Sequence, residues 1–241
     1  ASDIETTLIT SLEVDNAEGS GTVAVASRLL LDTLREFSDQ PLSFSINDSN
    51  LAMVITSANG SYNFIGQNGD EYPRLPELQE DARVLTMDVD FLANGIVKTL
   101  FCTADDELRP VMNGVFFDIY ADNITMVATD AHKLVRYKTQ HTSITLGEEE
   151  EKVNFILPKK PATMLKNILP KESGEVEIKF DSKNAYFRLS NYTMICRQVE
   201  GRFPNYNGVI PKSNLYKIII DRVSWLNALK RVSVFSNQAS N

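Results

Sequence analysis

The chain has 241 residues, 43% hydrophobic and 23% charged, a globular composition with room for one to three domains. No apolar run approaches the roughly 20 residues that a membrane-spanning helix needs. The net charge is −8, which taken alone speaks against a nucleic-acid partner and makes the placement of the positive charge the question to answer.

In chain order, Asp3–Thr10 reads as a strand, followed by a Gly19-Ser20-Gly21 turn and a short strand over Thr22–Ala26. Ser27 reads as the N-cap of a helix over Arg28–Phe37, with Leu30, Leu31, Leu34 and Phe37 at helical spacing. Three strands follow at Leu42–Ile46, Leu51–Thr56 and Tyr62–Ile65. A middle unit has a strand over Val84–Met87 and a helix over Asp90–Phe101. Its further strands span Met112–Tyr120 and Ile124–Thr129, with a continuation to Tyr137. Then the first order returns: strand Val153–Leu157, helix Lys159–Leu169, and strands Val176–Phe180, Ala185–Leu189 and Tyr192–Ile195. Glu148–Glu151 reads as a solvated loop.

This return is a repeat. Arg28 and Lys159, Leu34 and Leu165, Arg35 and Lys166, and Tyr72 and Phe203 are each 131 residues apart, the period of a duplicated domain. Ala1-Ser2-Asp3 looks like the end of a copy of Ala128-Thr129-Asp130, and Ile218–Asp221 through Phe235 like the start of a copy of Leu85–Asp88 through Phe101. The expected organisation is the later half of one domain over 1–79, a complete domain over 80–210, and the first strand and helix of a third over 211–241. One helix with several antiparallel strands per unit is an α+β layer architecture, and such repeats can close into a ring.

The helices also repeat their charge. Arg28 and Arg35 are seven apart and share a helical face; Lys159 and Lys166 hold the equivalent places later. Lys98 lies on the middle helix, Lys230 and Arg231 on the last, and Arg109 is grouped with them. One reading is ordinary solvated helix faces. Recurrence at matching positions favours the other, a basic surface that meets phosphates without reading bases. No zinc-finger, RNP or helix-turn-helix pattern supplies base readout.

Asp130 and His132 follow a strand and invite an acid–base reading, with Cys102 or Cys196 as nucleophile. No GxSxG, HExxH or Walker pattern accompanies them, and neither His132 nor His141 has metal partners in sequence. Catalysis, a metal and a cofactor are therefore not expected. Both cysteines sit in apolar runs without CxxC spacing and read as buried free thiols, consistent with a cytoplasmic setting. A protein-interaction scaffold without DNA is the remaining rival.

Three segments, Leu108–Val115, Val127–Leu134 and Glu200–Pro211, closely resemble in order and spacing the middle domain of the bacterial DNA polymerase III beta subunit, the sliding-clamp family. The resemblance covers the whole chain. It implies the clamp fold, with helices inside and sheets outside, in a ring that encircles duplex DNA as a homodimer of the full-length protein. It implies a processivity factor without catalysis, loaded by a clamp loader, that tethers the polymerase catalytic subunit and other proteins carrying clamp-binding motifs. Those partners dock a linear peptide in an apolar pocket whose second-domain wall, carried over by position, is Met112, Thr129, Ala131, His132, Lys133, Leu134, Pro204 and Val209. Ala131 stands where the family often has Gly, Lys133 where Arg is common, and Gly208 where some members carry Arg.

Overall fold

The computed structural model describes residues 1–139, 143–144 and 151–236, so His141 and Glu148–Glu150 lie outside the described residues. Its contacts divide the chain into two units, Ala1–Phe203 and Pro204–Asn241.

The first unit opens with β1 (Thr6–Thr10), β2 (Val23–Ala24), α1 (Ser27–Arg35), β3 (Ser43–Asn47), β4 (Ala52–Ser57), β5 (Gly60–Ile65) and β6 (Gln67–Asn68). It continues with β7 (Arg83–Asp88), α2 (Val89–Thr99), β8 (Gly114–Tyr120), β9 (Ile124–Thr129), β10 (Leu134–Thr139) and β11 (Ser143–Ile144). It ends with β12 (Lys152–Pro158), α3 (Lys159–Ile168), β13 (Glu175–Phe180), β14 (Asn184–Arg188) and β15 (Tyr192–Arg197).

From β7 onward two strand–helix–three-strand units interlock. One antiparallel sheet has the order β10-β9-β8-β12; the other runs β1-β15-β14-β13-β7-β11. The first strand of each unit has crossed into the sheet made by the last three strands of the other. Strand β12 pairs along the whole of β8, from Lys152↔Tyr120 to Pro158↔Gly114, and β7 pairs along β13, from Arg83↔Phe180 to Asp88↔Glu175. Neither unit can close its sheet alone.

The two sheets and the adjacent helices α2 and α3 enclose one core that includes Leu92, Ile96, Phe117, Phe155, Leu157, Leu165, Ile178 and Phe187. Strand β13 shows why its residues form a half-buried strand: Val176, Ile178 and Phe180 are buried, whereas Glu175, Glu177 and Lys179 point outward with period two. Helix α2 starts where the Asp88 carboxylate accepts the Asp90 amide at 2.7 Å. It lies so close on β9 that a Cβ on Gly95 would sit 2.1 Å from the Met126 sulfur. Phe203 stacks on Phe116 at 4.6 Å between centroids, on the face of β8 opposite the core.

The earlier part repeats the second of these units on a smaller scale. Strands β3, β4 and β5 form a three-stranded sheet on which Leu30, Leu34 and Phe37 pack around Met53, Ile55 and Phe64. Strand β1 joins the six-stranded sheet by pairing with β15, from Thr6↔Cys196 to Thr10↔Tyr192. The two repeats therefore share a continuous sheet. The second unit holds a short turn over Tyr206–Gly208 and α4 (Arg222–Ser233), capped by the Asp221 carboxylate on the Ser224 amide at 2.8 Å.

Several expected boundaries move. The N-cap of α1 is Ala26, with no side-chain cap, and Ser27 is already helical. Met112 belongs to a 3-10 turn over Pro110–Met112, because Pro110 fixes its own φ and cannot donate to a ladder, so β8 begins at Gly114. Helix α2 ends at Thr99, followed by a 3-10 turn over Leu100–Cys102. Ile218–Ile220 are exposed and not in a strand, since among the described residues no strand pairs with them. A strand without a ladder partner leaves its backbone to water.

Gly114 has no room for a side chain: a Cβ there would lie 2.4 Å from the Leu157 carbonyl oxygen, on the neighbouring backbone. Gly114→Ala is expected to destabilise the fold by about 1–3 kcal/mol through strand displacement. Chemical denaturation of the variant and parent checks this.

Candidate functional site: a turn at the end of the four-stranded sheet

The connection from β9 to β10 folds around Asp130. One of its carboxylate oxygens accepts the His132 amide at 3.0 Å and the Lys133 amide at 2.8 Å, an Asx turn. The other lies 3.1 Å from the Lys133 ammonium. The Thr129 hydroxyl donates to the Lys133 carbonyl at 2.8 Å and accepts the Ala131 amide at 3.1 Å. The two amides, first that of Lys133, together with the Lys133 ammonium, hold the Asp130 carboxyl well below the usual carboxylate range. Ala131 adopts φ +73°, the left-handed region that favours glycine. Its side chain, with those of His132 and Lys133, is exposed, and Leu134 is half-buried where β10 begins.

The sheet topology brings more of the expected residues to this end. Strand β8 pairs with β9 as Phe116↔Val127; continuing that register sets Gly114 opposite Thr129. Met112, half-buried, is two residues before it, and Lys159 follows the end of β12 with its amide on the Asn113 carbonyl at 2.9 Å. Pro204 and Val209 fall in the second unit, where Val209 is exposed. The structure thus gathers Met112, Thr129, Ala131, His132, Lys133 and Leu134 at one sheet end.

Each cation expected to face DNA lies at the surface. Arg28 and Arg35 both reach Asp32 at 3.8 Å, Arg109 reaches Asp106 at 2.7 Å, and Lys159 reaches Asp105 at 2.5 Å. Lys98 lies over the Tyr137 ring at 4.7 Å. Exposed pairs of this kind are worth about 0–1 kcal/mol, so a phosphate can displace them. Lys166 is exposed on α3, and Lys230 and Arg231 close α4. The four helices together carry nine basic residues and two acidic ones, in a chain of net charge −8.

The thiols do not suit a nucleophile. Burial pushes Cys196 up to about 12; burial, then the nearby Asp130 charge, raises Cys102. Among the described residues no cluster of His, Cys, Asp and Glu is placed to hold a metal, and no helix is long and apolar enough to cross a membrane.

An α+β repeat built from interlocked strand–helix units, with a basic bias on its helices, defines the class. Two family models match: the DNA polymerase III beta subunit, N-terminal domain, over residues 1–76, and its central domain over residues 86–205. The beta sliding clamp of Staphylococcus epidermidis is 29% identical over 229 residues, which are 95% of this chain and 59% of that protein. A sliding clamp from Bartonella birtlesii, bound to griselimycin, aligns at TM-score 0.88 with 27% identity, over 99% of this chain and 63% of that one. The Helicobacter pylori beta clamp bound to a DNA ligase peptide shares the fold, at TM-score 0.87 and 19% identity, over 98% of this chain and 64% of that one. The chain belongs to the bacterial DNA polymerase III beta-subunit family, the sliding clamps. It spans about three fifths of the length of the curated relatives it matches.

The sequence offered Asp130 only as half of an acid–base pair with His132, and its part in the turn was missed. The signal was present: an Asp after a strand, with two following amides in reach, is the pattern of an Asx turn. The left-handed backbone at Ala131 also gives a physical reason for the glycine that the resemblance implies at this position. Ala131→Gly is expected to stabilise the protein by about 0.5–1 kcal/mol, the left-handed strain relieved less the added entropy of the unfolded chain. Thermal and denaturant unfolding of the variant read this directly.

Proposed function

We propose that the chain is part of a ring-shaped processivity clamp that encircles duplex DNA without sequence specificity and tethers polymerase and other partners by a linear peptide. Family membership supports the class, and the observation that carries the DNA reading is the concentration of basic residues on the helices of an acidic chain. Lys and Arg so placed neutralise phosphates and release counterions, which makes the contact sequence-independent and salt-sensitive.

In this reading residues 1–79 are the later half of a first clamp domain, 80–210 a complete second, and 211–241 the start of a third. The pairing of β1 with β15 supports assembly by sheet continuation. Strand β10 is an edge strand among the described residues, and a following repeat would cover it as β15 covers β1. Full-length subunits then close a homodimeric ring, opened and closed on DNA by a clamp loader.

The peptide-binding wall of this reading is the sheet end at Met112 and Thr129–Leu134; the resemblance adds Pro204 and Val209, which belong to the second unit. Relatives crystallised with a DNA ligase peptide and with griselimycin support a peptide ligand. Met112 and Leu134 supply adaptable apolar contact, and His132 and Lys133 donate to the peptide's polar ends. No reaction is assigned: Asp130 is committed to its turn and both thiols are raised.

The test loads the full-length protein onto nicked circular DNA, linearises the DNA, and follows retention by gel filtration. Retention on the circle with loss on linearisation is expected, and equal retention on both would overturn the ring. Glu in place of Arg35, Lys159 and Lys166 should lower retention on the circle, and the difference from the parent should shrink as salt rises. His132→Ala with Lys133→Ala should weaken a polymerase-derived peptide by roughly tenfold in fluorescence anisotropy. Unchanged affinity would move the pocket elsewhere.

A further inference from the structure

A cavity of about 310 Å³ lies where the two repeats share their sheet, between residues 2–7, the segment around Arg74, and the edge of β14 and β15. It is not the sheet end at Thr129–Leu134. Yet its first wall is the repeat-equivalent of that turn. Ser2 bridges Thr7 as Thr129 pairs with Leu134. The Asp3 carboxylate accepts the Glu5 amide at 2.9 Å and the Thr6 amide at 2.6 Å, as Asp130 does for His132 and Lys133. Pro73, also on the cavity, stands 131 residues before Pro204.

The geometry points to a second peptide-binding site here, one that takes a short extended segment with an apolar anchor flanked by acidic residues. The inference rests on the peptide reading of the Thr129–Leu134 turn. The size fits one or two side chains, at the low end of ligand pockets, and excludes a large cofactor. Ile4, almost fully exposed, provides an unfilled apolar contact at the mouth.

Charge selects the acidic flanks. Arg74, Lys183 and Arg197 line the cavity, and among the described residues none of the three is in an ion pair. Against them stand Asp3 and Glu5, and Asp3 is already taken up by its turn amides and by the Lys160 ammonium. Three cations therefore face the cavity with one uncommitted carboxylate. The two sites differ in chemistry, with Ile4 and Glu5 in the places of Ala131 and His132, so they are built for different sequences.

The experiment incubates the full-length protein with a photo-reactive octapeptide that carries two adjacent large apolar residues flanked by aspartates. Adducts are mapped by mass spectrometry. Adducts on residues 2–7, 73–76 or 183–197 are expected beside those on 129–134. Arg74→Glu with Arg197→Glu, both exposed, should cut the first group roughly tenfold and leave the second unchanged, and the corresponding Lys variants should keep both. Adducts confined to 129–134 overturn this inference and leave the proposed pocket standing. Adducts confined to the first group support it and overturn that pocket. Adducts at neither place, or a first group insensitive to charge reversal, overturn it.

Discussion

The main core and the two sheets around it depend on the exchange of β7 and β12 between those sheets. A three-stranded sheet with one helix has an open edge and an uncovered face, and a small core stabilises it poorly. By giving away its first strand, each strand–helix unit completes the other's sheet. The strand that crosses also carries a helix with it, α2 after β7 and α3 after β12, so the helices come to lie side by side. Long-range pairing of this kind costs loop-closure entropy on folding, and the dense shared core of aromatic and aliphatic side chains offsets that cost.

The same logic extends outward by one strand. β1 adds to the edge of β15 with its full length in register, so an edge that would otherwise invite aggregation becomes a joint between repeats. A joint made of backbone hydrogen bonds is indifferent to the side chains on either strand. The turn leading into the added strand is then free to vary. Asp3 and Asp130 organise these turns by the same two amide contacts, but Ile4, Glu5 and Thr6 surround one and Ala131, His132 and Lys133 the other.

Much of this was legible in the sequence. The strands read at Val176–Phe180, Ala185–Leu189 and Tyr192–Ile195 fall within a residue or two of β13, β14 and β15, and the 131-residue spacing revealed the repeat. The strand exchange was not legible, because a hydrophobic pattern tells which face of a strand is buried but not which sheet it joins. Met112 was placed in a strand because its neighbours are apolar; Pro110 overrode that pattern through its fixed φ and missing donor. Ile218–Ile220 read as a strand because they look like a copy of Leu85–Met87 in β7, yet a strand exists only with a ladder partner. At the turn, residue types pointed to the place, but the left-handed φ of Ala131 and the commitment of the Asp130 carboxylate are backbone geometry, which no side-chain pattern encodes.

Net charge misleads for a related physical reason. The potential that a ligand feels is local: at physiological salt the Debye length is about 8 Å, so an exposed charge much farther away contributes little. With nine basic and two acidic residues on the helices, the acid excess must reside on strands and connections. The helices are therefore locally basic although the chain as a whole is negative. The figure of −8 is the sum of basic helices and acidic strands and connections, and it describes neither.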